Sequence, residues 1–287
     1  MEILSRDEWV LRREQHHHII DAWVNPRLER RAKQEAHPID DFLFDYYPIS
    51  AKKLRTWHPG IEFGLEALEI ELEYFPPAQY EFSDGLITVS SSWLDEKTER
   101  FSNLLTFLKA VQARPSKFGC FGLHEWAMVL GEDEVRHQLW PLRVSQDVIR
   151  STIAEQGLRC THFDAFRFFT VEARPLNPLQ LVRSDQQECD QSGCLHANMD
   201  LYKYSFELAP IVGSDVMRMS FQLAKDIRDL DMQAAPYDLL DLGLAPIKIE
   251  TPEGRLEFAN KQKIFSERAH EIRGLLIEKI QGLLAVR

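Results

Sequence analysis

Helix caps followed by apolar residues at three- and four-residue spacing recur along this chain, and they restrict it to a mainly α fold. Ser5-Arg6-Asp7-Glu8 is a capping box, in which a serine and a glutamate three residues on satisfy the first free amide groups of a helix. The spacing predicts a helix from there to about Val24, punctuated by Asn25-Pro26, then a short piece over residues 27–36. Phe101, Leu104, Leu105, Leu108 and Val111 form one apolar helix face after Ser91-Ser92. Ser145 is placed to cap a helix ending at Gly157, and residues 195–209 read as a helix before Pro210. Ser214 opens another, with Val216, Leu223, Ile227 and Leu230 on one stripe. Thr251-Pro252-Glu253 sets a cap, a first-turn proline and an acidic residue in the order a helix start requires. Phe258, Phe265, Ile272, Leu276, Ile280 and Leu283 then follow on one side.

Strand signals are few. Tyr80–Ser83 and Leu86–Val89 flank Asp84-Gly85, the composition of a two-residue hairpin turn. A short extra strand is expected near Leu158-Arg159-Cys160, and the aromatic-rich residues 39–47 are expected to be buried. No internal repeat or flexible linker interrupts the chain. The expectation is a single compact helical domain over residues 1–287 with one small β-hairpin.

Composition then limits the function classes. With 44% hydrophobic and 28% charged residues the chain is an ordinary globular one. No apolar run approaches the roughly 20 residues that span a bilayer, and the first residues are charged with no apolar signal core. The cysteines Cys120, Cys160, Cys189 and Cys194 form no CxxC pair. Four are too few for a disulfide scaffold in a chain this size, so reduced thiols in a cytoplasm are expected. A net charge of −11 argues against broad nucleic-acid affinity, which phosphate neutralisation supplies. The basic groups Arg12-Arg13, residues 27–33 and Lys52-Lys53-Arg55 are the local exceptions, and solvated helix faces explain them more simply. The Walker A, GxGxxG, HExxH and GxSxG patterns are absent.

Three segments carry the residues of chemistry. His196, Asp200, Lys203 and Glu207 fall at i, i+4, i+7 and i+11, hence on one face of a helix. A histidine and an aspartate one turn apart can orient a proton donor or share a metal. The bland alternative is a solvated face of ion pairs worth about 0.5 kcal/mol each. The run from Cys160 to Phe169 sets His162, Asp164 and Arg167 among apolar and aromatic side chains, where unpaired charge is costly, so they are expected to pair with one another or with something bound. The third segment, Phe118 to Trp126, holds His124 beyond Gly119 and Gly122; a lone histidine there is more often a satisfied core residue. At least two of the three are expected to meet in one pocket. Asp226 and Asp229 share a helix face that Asp231 does not, and the partner motif of a magnesium-diphosphate site is missing. His16-His17-His18 offers adventitious metal affinity only.

Over nearly its whole length the chain resembles a bacterial family commonly labelled 3-methyladenine DNA glycosylase. The resemblance is carried by His37-Pro38 with Asp41-Phe42-Leu43-Phe44, by Trp57-His58-Pro59-Gly60, and by the run Phe118 to Val129. It continues through His162-Phe163-Asp164-Ala165-Phe166-Arg167-Phe168-Phe169, Gly193-Cys194-Leu195-His196 and Met199-Asp200-Leu201-Tyr202-Lys203. Asp226-Ile227-Arg228, Leu230-Asp231-Met232, Pro236-Tyr237-Asp238-Leu239 and Glu250-Thr251-Pro252-Glu253-Gly254-Arg255 complete it. These motifs are not the helix-hairpin-helix plus aspartate of the familiar alkylpurine glycosylases.

The resemblance implies a DNA-repair hydrolase that cleaves the N-glycosidic bond of an alkylated purine in DNA, without a cofactor. Asp164 or Asp200 would stabilise the oxocarbenium ion and activate water, with His196 as proton carrier and Arg167 and Lys203 beside them. Trp126, Phe168 and Tyr202 would stack the flipped base, with Tyr237 and Asp238 extending the binding surface. A second reading is a metal-dependent enzyme acting on a small molecule or nucleoside, with iron, manganese or zinc held among His124, His162, Asp164, His196 and Asp200. A third is a non-catalytic binding module.

Overall fold

The computed structural model describes residues 1–132 and 140–286. Helix accounts for 61% of it against one small four-stranded sheet, so the fold is mainly α. The backbone gathers into two compact units, each assembled from separated stretches of sequence. The first comprises Met1–Lys109, Leu201–Gln222 and the residues from Ile272 on; the second comprises Ala110–Asp200 and Leu223–Glu271. No described helix is long and apolar enough to cross a membrane.

In the first unit the capping box at Ser5 forms as its sequence requires, but the helix behind it runs Arg6–Ala32, straight through Pro26. Asn25-Pro26 fails as a stop because tertiary bonds hold the turn beyond it. Arg27 is buried and donates to the Asp41 carbonyl at 2.8 Å and to the Asp45 carboxylate at 2.6 Å. A proline forfeits one backbone bond, and two bonds from a guanidinium offset that loss.

The hairpin lies where its turn residues put it: β3 (Tyr80–Ser83) pairs antiparallel with β4 (Leu86–Val89). Asp84 and Gly85 adopt φ of 53° and 79°, the two positive values a twist-matched two-residue turn needs. The sheet is larger than this hairpin. β1 (Glu2–Leu4) runs parallel to β2 (Phe63–Glu66), and β2 pairs antiparallel with β4, giving the order β1-β2-β4-β3. Strands of three and four residues are too short to show alternation. Trp9, fully buried, packs in this unit and donates its indole N–H to the Glu66 carbonyl at 2.9 Å.

The second unit is built from short helices joined by loops that side chains pin in place. Ser145 caps the helix Gln146–Gln156, and Gly157 ends it, as expected. Residues 158–160 form no strand. Buried Asn177 supplies what a neighbouring strand would: its Oδ1 accepts from the Cys160 amide at 2.8 Å, and its Nδ2 donates to the carbonyls of Cys160 and Leu179. Asn177→Ala strands these backbone groups in the interior, and a loss of roughly 2–3 kcal/mol is expected in urea unfolding. A cost below a few tenths would mean that the loop holds its shape without the side chain.

Residues 195–209 do not form one helix. They divide into Leu195–Met199, Leu201–Glu207 and Ala209–Val212. Pro210 has no N–H for the carbonyl four residues earlier, which breaks the ladder near Leu208. Asp200 sits at the first break with ψ of −17°. The predicted stripe is therefore split: His196 and Asp200 belong to the second unit, Lys203 and Glu207 to the first. The stripes of the two long helices, Ser214–Ala234 and Pro252–Ala285, are buried as their spacing requires, save Phe265, which is half-buried.

Candidate functional site

The site lies in the second unit, and a glycine sets its first element. Gly122, at φ 73°, caps the helix Leu123–Ala127, and a Cβ there would come within 3.2 Å of Ala234 and 3.3 Å of Phe258. Only glycine lets this helix approach so closely, and the approach places His124 against Asp231. His124 Nε2 stands 2.9 Å from Asp231 Oδ1 and 3.1 Å from Oδ2. Arg228, one turn before Asp231 on the same helix, donates to Asp231 Oδ2 at 3.4 Å and to Glu125 Oε1 at 3.0 Å. All four side chains are buried, so each charge has a partner of opposite sign within reach.

His196, in the first turn of Leu195–Met199, meets this group edge-on. Its ring lies 4.3 Å from the His124 ring at 84°. On its other flank the His162 ring is nearly parallel at 5.6 Å, and His162 Nδ1 is bonded to Asp190 Oδ1 at 3.0 Å. Asp190 and His162 are both buried. The result is a row: Asp231, His124, His196, His162, Asp190. Donor atoms of His124, His196 and Asp231 all lie within 4.8 Å of one another.

Electrostatics divide the row. Burial opposes charging His124, but the Asp231 carboxylate, by charge and hydrogen bond, more than offsets it and holds the His124 pKa above its usual value. Burial acts likewise on His162, and its bond to Asp190 raises it. Among the described residues no carboxylate is hydrogen-bonded to His196, and burial lowers its pKa more than the charge of Asp231 raises it. Burial, followed by the charge of neighbouring His124, pushes it well below its usual value. At neutral pH His196 is thus a neutral imidazole with a lone pair, set between two histidine–aspartate pairs.

A cavity of about 290 Å³ opens on this row, with His124 and His196 in its lining. Phe118, Leu123, Leu158 and Phe169 give it apolar walls, and Cys120, Cys160 and Cys194 line it as well. Burial raises all three thiols, Cys160 to about 12 and Cys194 well beyond the usual range. Protonated thiols are poor nucleophiles, so the walls are neutral and unreactive.

The residues singled out in the sequence distribute unevenly. His124 and His196 meet at the cavity, and His162 stacks behind His196. His162 pairs with Asp190 rather than with its sequence neighbours, whereas Asp164 and Arg167 do pair, at 3.1 Å, joined by Arg183. Asp164 does not line the cavity, and neither does buried Asp200. Trp126 is fully enclosed, its N–H donated to the Ala234 carbonyl at 2.8 Å. Phe168 lies under the Arg167 guanidinium. Tyr237 is buried in a bridge with Leu142, and exposed Asp238 accepts from the Leu240 amide. Tyr202 and Lys203 are in the first unit, Tyr202 packed on Tyr47 and Phe221. His16 is buried there too, bonded to the Leu54 carbonyl and to Arg218, which leaves the triple-histidine run no common metal face.

The sequence assigns no site role to Asp231, Asp190, Glu125 or Arg228, which the fold brings to the row. For Asp231 the sequence does carry a signal: its place off the Asp226–Asp229 face leaves it to meet His124. Asp226 instead pairs with Arg268 at 2.7 Å. The chain matches no family model, no curated protein and no solved structure.

Proposed function

We propose that this chain is a metal-dependent enzyme acting on a small molecule held in the second unit's cavity, with His124, His196 and Asp231 as the metal ligands. The observation that carries the reading is that donor atoms of these three side chains lie within 4.8 Å of one another, with His124 and Asp231 buried and with His124 and His196 lining the cavity. His124 Nε2 and Asp231 Oδ1, paired at 2.9 Å, would become ligands once an ion displaced the proton they share, since a ligating histidine must be neutral. Two imidazoles and one carboxylate suit iron, manganese or zinc and leave positions open toward a substrate. Such an ion would polarise a substrate oxygen or lower the pKa of a bound water. Arg228 orients the Asp231 carboxylate, the outer contact that keeps a metal ligand in register. His162, held by Asp190, fixes the far side of the His196 ring.

The N-glycosylase reading receives less support from the geometry. It asks for a free carboxylate and a stacking aromatic at one site, and Asp164 is engaged by two arginines while Trp126 is sealed inside.

Metal analysis of the purified protein tests the proposal. About one iron, manganese or zinc ion per chain is expected, falling below about a tenth of that in His196→Ala and in Asp231→Asn. A His17→Ala control should keep its metal. Protein that binds none of the three ions, or variants that retain them, would overturn the assignment. Base release from alkylated DNA by metal-free protein would move the function to the glycosylase reading.

A further inference from the structure

We infer that the cavity takes a small anionic molecule, a carboxylate or phosphate on an apolar body, gripped at its rim by Lys117 and Arg159. This rests on the cavity being the substrate site, as proposed above, but not on the metal.

The first ground is the sign of the lining. Across the whole chain 45 acidic residues outnumber 34 basic ones, yet among the described residues the fully charged side chains lining this cavity are Lys117 and Arg159, and no aspartate or glutamate joins them. Both cations are exposed, and among the described residues neither side chain is tied to a carboxylate, in a protein whose other basic groups are widely paired. Two unneutralised cations beside low-dielectric walls make a positive mouth, which concentrates small anions and repels cations.

The second ground is that the backbone beneath each cation is fixed although its head is free. Buried Gln191 clamps Lys117 from both sides: its Oε1 accepts from the Lys117 amide at 2.9 Å, and its Nε2 donates to the Lys117 carbonyl at 3.3 Å. The same Oε1 accepts from the Gly193 amide at 2.7 Å. Across the mouth, the segment bearing Arg159 is pinned by Asn177 through Cys160. The Arg159 guanidinium lies over Gly119, its Nη1 3.0 Å from where a Cβ of that residue would stand. Lys117, Gly119 and Arg159 all line the one cavity. Backbones already held in place lower the ordering cost of ligand capture.

The third ground is what lies between rim and row. Phe118, Leu123, Leu158 and Phe169 offer no charge to a ligand body, and burial keeps the nearby thiols neutral. A molecule anionic at one end and apolar behind it satisfies the rim and the walls at once.

Benzoate, phenyl phosphate and the neutral isostere benzamide are suitable probes, titrated calorimetrically at low salt into protein as purified and into metal-stripped protein. Both anions are expected to bind, with benzamide at least about tenfold weaker. Lys117→Gln and Arg159→Gln should each weaken the anions, and the double variant should lose at least about tenfold without change in melting temperature or metal content. Lys117→Arg should restore binding to the single variant's site. Benzamide binding as tightly as benzoate, undiminished anion binding by the double variant, or no binding by either anion would overturn the inference. Metal-stripped protein that still binds benzoate through these two residues would sustain the inference whatever the metal analysis shows; protein that holds its metal and ignores both anions would overturn the inference and leave the metal reading standing.

Discussion

Arg228→Ala is expected to lower stability by about 3–5 kcal/mol, because it breaks two buried ion pairs by removing the partner they share. The guanidinium is 3% exposed and joins Glu125 and Asp231, themselves 5% and 1% exposed. Without it, Glu125 loses the ion pair at 3.0 Å, and Asp231 loses one of its two bonded partners among the described residues, keeping His124. The measurement is the urea midpoint at an unchanged m-value, which separates lost stability from an altered unfolded state. The double variant Arg228→Met with Glu125→Gln should recover much of the loss, since apolar or neutral replacement of both partners of a buried pair is often tolerated. A single-variant cost under about 1 kcal/mol would show that water reaches these carboxylates.

Acid should weaken the first unit steeply, through two histidines outside the candidate site. Burial, with a small contribution from His16, holds His58 down to about 3, and its Nδ1 is bonded to the Tyr80 hydroxyl at 2.9 Å. Burial, followed by the Arg218 charge, holds His16 down to about 4 against the opposing Leu54 carbonyl and Asp215. Both rings stay neutral when folded, whereas their unfolded counterparts take protons below about pH 6.5. The unfolded state therefore binds more protons in this range, and stability falls as pH falls. Each ring costs roughly 1.4 kcal/mol per pH unit, so the pair removes roughly 4 kcal/mol between pH 6 and 4.5. His196, also depressed, acts in the same direction. His124 and His162, raised by their aspartates, act oppositely in sign and in a different window: their contribution is complete below about pH 6.5 and is lost as pH rises through their folded values. Chemical denaturation at stepped pH reads these slopes directly. His58→Gln should cut the acid slope by roughly 1.4 kcal/mol per pH unit, whatever it does to stability at neutrality. A variant slope equal to that of the parent protein would mean that His58 is protonated in the fold.

What the sequence determined by itself is local. Ser145 and Thr251 accept from amides three residues on, and at Ser5 the Glu8 carboxylate accepts from the Ser5 amide and hydroxyl, because capping needs only groups three residues apart. Asp84-Gly85 turns because two residues suffice to set two positive φ angles. The apolar stripe from Val216 to Leu230 is buried because helical spacing places it on one side. These signals made the mainly α class legible, along with His124 and His196 as residues of interest.

Tertiary structure decided whatever depended on partners distant in the chain. Pro26 stays helical because Arg27 finds Asp41 and Asp45, and residues 158–160 forgo a strand because Asn177 satisfies their backbone. The candidate site follows the same rule. His124 and Asp231 are 107 positions apart, and His162 and Asp190 are 28 apart. Helical periodicity reports which residues share a face, but not which face meets which. A burial penalty requires that each buried charge find a partner without naming it, so the sequence announced the charges and only the packing around Gly122 chose their partners.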